Sequence, residues 1–122
     1  MNPNSLEVAD TTYHLGETYQ SMGNLAEADK QFATALQIRQ TLTPNSAACA
    51  DSLTSLANLS RLQQRWDEAG TKYEKVFDVL DAQSSRIGGV PEVRFRFYAK
   101  YANYYSQYIS VLIQKGEHAR AL

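Results

Sequence analysis

Asp10, His14 and Glu17 stand at i, i+4 and i+7. On a helix that spacing puts two carboxylates and an imidazole on one face, where they could ligate a divalent metal. Carboxylate metal sites in helical proteins, however, draw ligands from several facing helices, and only Asp51 offers itself from elsewhere in the chain. The expectation is therefore no metal, with His14 a residue of a polar helix face. Cys49, the sole cysteine, has no histidine beside it in a nucleophile motif, so it reads as a small buried packing residue. A single cysteine forms no internal disulfide, which fits a reducing compartment. Gly88-Gly89 follows no strand and lacks both the dinucleotide fingerprint and the lysine of a phosphate loop, so it reads as a plain loop. Arg94, Arg96 and Lys100 lead into a tyrosine-rich stretch that has the ingredients of a stacking platform for single-stranded nucleic acid. Its rings recur at helical spacing, which points to packing instead. No catalytic constellation emerges, and the expectation is a chain that is not an enzyme and holds no cofactor.

The totals narrow the partners. A chain of 122 residues, 43% hydrophobic and 20% charged, is one globular domain with room for a core. The net charge of -1 leaves no basic excess to neutralise phosphates or anionic lipid, so neither nucleic acid nor membrane is expected as a partner. No run approaches the roughly 20 apolar residues that span a bilayer, and the start Met1-Asn2-Pro3-Asn4-Ser5 lacks the layout of a signal peptide. A soluble, cytoplasmic setting is the expectation.

The chain repeats itself. Pro3-Asn4-Ser5 with Ala9-Asp10 recurs as Pro44-Asn45-Ser46 with Ala50-Asp51, at an offset of about 41 residues, within the range of helical-repeat periods. The same offset carries Leu15 onto Leu56, Gly16 onto Ala57, Glu27-Ala28 onto Glu68-Ala69 and Phe32 onto Tyr73. Proline followed by Asn and Ser is a helix-start signal, which predicts a first helix over about Ser5 to Met22 and a third over about Ser46 to Gln64. Gly23-Asn24 is a tight turn. Its counterpart, Gln64-Arg65, lacks glycine and must use ordinary backbone geometry or carry strain. Apolar residues at helical period predict a second helix from Leu25 to about Leu42 and a fourth from Trp66 to about Ala82. After a loop over 83–91, a long helix from about Glu92 to Gln114 carries two apolar stripes. One is Phe95, Tyr98, Ala102, Tyr105, Ile109 and Leu112; the other is Phe97, Tyr101, Tyr104, Tyr108 and Val111. A helix apolar on two faces is packed on both. Gly116 with Ala119 and Ala121 echoes Gly23 with Ala26 and Ala28, predicting a turn and the first residues of a sixth helix. The expectation is a fragment of a longer repeat protein, whose fifth helix lacks part of its cover and associates with another copy through its aromatic stripe.

Leu15, Gly16, Tyr19, Gly23, Ala28, Phe32 and Ala35 resemble the tetratricopeptide repeat pattern, and Leu56, Ala57, Ala69 and Tyr73 keep part of it. The long period is similar to the extended repeats of kinesin light chains and of bacterial proteins whose repeats precede a caspase-like CHAT domain. The resemblance implies an all-α fold of antiparallel helix hairpins stacked as a right-handed superhelix. It covers the chain as one domain of about 2.5 repeats, with repeat one at 3–43, repeat two at 44–82 and a truncated repeat three at 92–122. It also implies a concave groove lined by the first helix of each pair. That groove would take Asp10, Tyr13, His14, Glu17 and Gln20 from repeat one, Asp51, Thr54, Ser55, Asn58 and Arg61 from repeat two, and Asn103, Ser106, Gln107 and Ser110 from repeat three. The implied function is a protein or peptide-binding scaffold without catalysis. Arg61 is the chief cation on this face, which argues against a ligand clamped by its C-terminal carboxylate. The alternatives are a regulatory arm of a larger enzyme of the CHAT type and a module for self-association.

Overall fold

The computed structural model describes residues 4–84 and 91–121. Within them lie five helices: α1 (Leu6–Ser21), α2 (Leu25–Leu42), α3 (Ala47–Leu62), α4 (Trp66–Ser84) and α5 (Pro91–Ala121). Each packs on its neighbour in the chain, α1 on α2, α2 on α3, α3 on α4 and α4 on α5, the layout of stacked hairpins. The cap chemistry sets the starts. Ser5 accepts from Val8 N at 3.2 Å, Ser46 from Cys49 N at 3.2 Å and Asn24 from Glu27 N at 3.3 Å, each satisfying an amide that the first turn leaves without a helical partner. The bounds of the first four helices match the sequence expectation to within a residue or two. Most of the loop expected over 83–91 lies outside the described residues.

Three apolar clusters hold the stack. Ala28, Phe32, Leu56 and Leu59 join the first hairpin to α3. Ala57, Ala69, Tyr73 and Val111 join α3, α4 and α5, and Ala50, Leu53, Val76, Val79, Leu80 and Tyr104 close the same three helices further along. The alanines lie where backbones approach, as small residues must. Leu56 is 6% exposed whereas its counterpart Leu15 is 42% exposed: α2 packs against the face of α3 that carries Leu56, and no described helix lies over the matching face of α1. Cys49 is buried, its thiol donating to the Thr43 carbonyl at 3.3 Å.

Two expectations need correction or refinement. The turn at Gly116 and the start of a sixth helix do not form; α5 runs unbroken to Ala121. In the first hairpin the turn is completed by Asn24, which caps α2, and by Leu25, which packs on the core. Glu117 and His118 stand in those places; neither is a cap of comparable quality, and a lone glycine inside a helix costs only about 1 kcal/mol. The two stripes of α5 also differ in fate. Tyr104 and Val111 are buried, with Phe97, Tyr101 and Tyr108 packed beside them, whereas Phe95, Tyr98, Tyr105, Ile109 and Leu112 are exposed.

Candidate functional site

The first helices of the hairpins, α1 and α3, and the long α5 bring their polar faces to one side. Between α3 and α5 a depression of about 480 Å³ is lined by Thr54, Ser55, Asn58, Arg61, Gln107 and Ser110. All six are among the residues the repeat pattern assigns to the groove. The i, i+4 and i+3 steps of Thr54, Asn58 and Arg61 keep them on one helix face, while Leu53, Leu56 and Leu59 turn the opposite way into the core.

Hydrogen bonds set what this depression offers. The Arg61 guanidinium donates through both Nε, at 3.1 Å, and Nη2 to Asn58 Oδ1. That orientation leaves the Asn58 amide N–H groups as donors. The Tyr73 hydroxyl donates to Gln107 Oε1 at 2.9 Å, so the Gln107 amide is likewise held with its N–H groups outward. Thr54 and Ser110 donate back to the Ala50 and Ser106 carbonyls, which leaves their oxygens as acceptors. Tyr13 and Ser55 share a hydrogen bond of 2.9 Å that links α1 to α3. The lining thus alternates amide donors with hydroxyl acceptors, and Arg61 supplies its positive charge.

The carboxylates at the repeated position are engaged. Asp10 Oδ1 accepts from Arg39 Nη2 at 3.0 Å. Arg39 is buried on α2, donates also to the Ala48 carbonyl and Ser52 Oγ, and lies over the Tyr13 ring at 4.6 Å. Asp51 Oδ1 accepts from Lys100 Nζ at 2.8 Å and from the Tyr104 hydroxyl at 3.1 Å. Partial burial alone would lower the Lys100 pKa, but the hydrogen bond and charge of Asp51 outweigh it and hold the ammonium above its ordinary value. Burial raises Tyr104, with the Asp51 charge adding to it; burial likewise raises Tyr13 and Tyr73.

His14 and Glu17 pair with each other at 2.8 Å on the exposed surface of α1, while Asp10 faces Arg39, so the three side chains do not converge. Gln20 is half-buried near the end of α1, and Asn103 and Ser106 are exposed on α5 beyond the depression. Arg39 and Lys100 are the polar residues that the sequence reading did not connect to this face. For Arg39 a signal existed: it lies seven residues after Phe32 and four after Ala35, on the apolar stripe itself, where a charged side chain requires buried partners.

A family model for the tetratricopeptide repeat matches residues 7–82. No curated protein matches the chain.

Proposed function

The chain belongs to the tetratricopeptide repeat family, whose repeats mediate protein interaction, and from that premise we propose that it binds an extended peptide segment of a protein partner along the face shared by α1, α3 and α5, with no catalysis of its own, in the cytoplasm. The lining between α3 and α5 carries this reading. Amide donors at Asn58 and Gln107 and hydroxyl acceptors at Thr54 and Ser110 suit the alternating carbonyl and N–H groups of a peptide backbone, which bind without regard to side chain. Arg61 adds preference for a segment that carries a carboxylate near this point. Asp10 and Asp51 belong to the walls of this face, since each is bound to a cation of the protein itself.

The reading is tested by selecting peptides on the immobilised protein from a random library and then titrating the selected peptide against variants. Asn58→Ala and Arg61→Ala are expected to weaken binding by about tenfold each, the loss of one good hydrogen-bonded anchor. Thr34→Ala and Gln37→Ala, on α2 away from the groove, are expected to leave it unchanged. Binding that survives the groove changes and fails with those on α2 refutes the assignment.

A further inference from the structure

The exposed stripe of α5 has a spacing of its own. Phe95, Tyr98, Ala102, Tyr105, Ile109 and Leu112 alternate in steps of three and four residues, which is the seam of a heptad repeat. The other apolar face of the helix is already covered by α3 and α4, so the seam is a second packing surface, joined to the first where the Tyr105 ring meets Phe77 of α4 at 5.7 Å. Phe95 is 76% exposed and Tyr98 56%, so both rings are available to a partner. With 31 residues the helix is about 46 Å long at 1.5 Å per residue, enough to present the whole seam to one partner helix.

We infer that the seam is a self-complementary interface on which a second copy of this chain lays its own α5 antiparallel. In that order a and d positions face each other. Phe95 of one copy meets Leu112 of the other, Tyr98 meets Ile109, and Ala102 makes room for Tyr105. Every ring then lies against an aliphatic or small side chain. Parallel pairing would set Ala102 against Ala102 and leave a void beside stacked tyrosines. Charge favours the same order. Arg94 and Arg96 are exposed at the start of the seam; parallel helices would crowd the guanidiniums of both copies at one end, and antiparallel helices hold them at opposite ends with their dipoles opposed. The exposed portions of the seam side chains amount to on the order of 600 Å² per copy, given 150–250 Å² for a whole aromatic side chain. Two copies together therefore bury about 1,200 Å², which reaches the range of specific interfaces. Because each copy offers the same patch, the contact closes as a two-fold dimer. It does not depend on what the groove binds.

Sedimentation equilibrium of the 122-residue chain over a wide concentration range is expected to show a reversible monomer–dimer equilibrium. Ile109→Glu should weaken it by about tenfold or more with the helical circular dichroism unchanged, because the residue lies on the surface. A chain that stays monomeric throughout, or a variant that dimerises as the parent does, overturns the inference. The order of the helices has its own readout. Phe95→Cys and Leu112→Cys chains, mixed under mild oxidation, should form the mixed disulfide in preference to either self-disulfide, with Cys49 shielded by burial. Preferential self-linkage of Phe95→Cys overturns the antiparallel arrangement.

Discussion

A Cβ built on Gly16 would sit 2.8 Å from two ring carbons of Phe32, a contact that real side chains do not make. The Phe32 ring is fully buried and has no free volume into which to retreat. Gly16→Ala gains about 1 kcal/mol of helix propensity, yet overpacking a closed core costs about 1–3 kcal/mol. The expected outcome is a net loss of about 1 kcal/mol in chemical denaturation. At Ala57, the counterpart of Gly16, a methyl group is accommodated beside Tyr73, so the requirement for glycine belongs to this hairpin alone. Asp10 is the residue whose role the structure changed most. Its carboxylate is the counter-ion of a buried arginine, so Asp10→Ala should lower stability by about 1–2 kcal/mol, the cost of taking away a charged hydrogen-bond partner. Glu17→Ala, which removes only an exposed pair with His14, should stay within about 0.5 kcal/mol of the parent. Urea titrations of the two variants side by side separate a structural carboxylate from a surface one.

Between helices, the two hairpin turns solve one geometric problem with different residues. Gly23 sits at φ +80 and its counterpart Gln64 at φ 61. Both turns need the left-handed backbone region, which glycine enters freely and a glutamine enters at a cost of about 1–2 kcal/mol. The glutamine turn is therefore the strained one of the two alternatives open to it. Gln64→Gly should raise stability by about 0.5–1 kcal/mol after allowing for the greater freedom of glycine in the unfolded chain. A thermal melting temperature that falls or stays put would show that the strain is relieved elsewhere. At α5 the same glycine signal misled, because Gly116 is followed by neither the cap nor the packing residue that ends a helix in the first hairpin. A turn forms where several local preferences agree, and a glycine alone supplies one of them.

Across the whole molecule, the packing of α5 on the repeats depends on groups that titrate at high pH. Lys100, Tyr104 and Tyr73 all have pKa values raised above their ordinary 10.5 or 10.0. Protons therefore leave the unfolded chain at lower pH than they leave the folded one. Their stabilisation is fully present below about pH 10 and is lost as the pH rises through the folded-state values. Denaturation midpoints should be level from pH 7 to 9 and fall steadily above pH 10. Lys100→Met combined with Tyr104→Phe should flatten that fall. An unchanged alkaline slope in the double variant would mean that the contact of Lys100 and Tyr104 with Asp51 does not couple to folding.

The helices were legible because their signals are local. Ser5 and Ser46 cap through an amide three residues away, and the stripe from Leu25 to Ile38 repeats within each turn, so the all-α class and the bounds of the first four helices follow from the sequence by itself. The polar face of α3 was legible for the same reason: Thr54, Asn58 and Arg61, which line the depression beside α5, are what remains of α3 once its leucines are assigned to the core. Tertiary structure alone decided which polar residues of that face are already engaged. Arg39 reaches Asp10 across 29 positions of sequence, and Tyr104 reaches Asp51 across 53. No periodicity carries such pairings, because they depend on the distance between helices after packing. Packing also decided which aromatic stripe of α5 is buried, since the two have similar composition and only the placement of α3 and α4 distinguishes them.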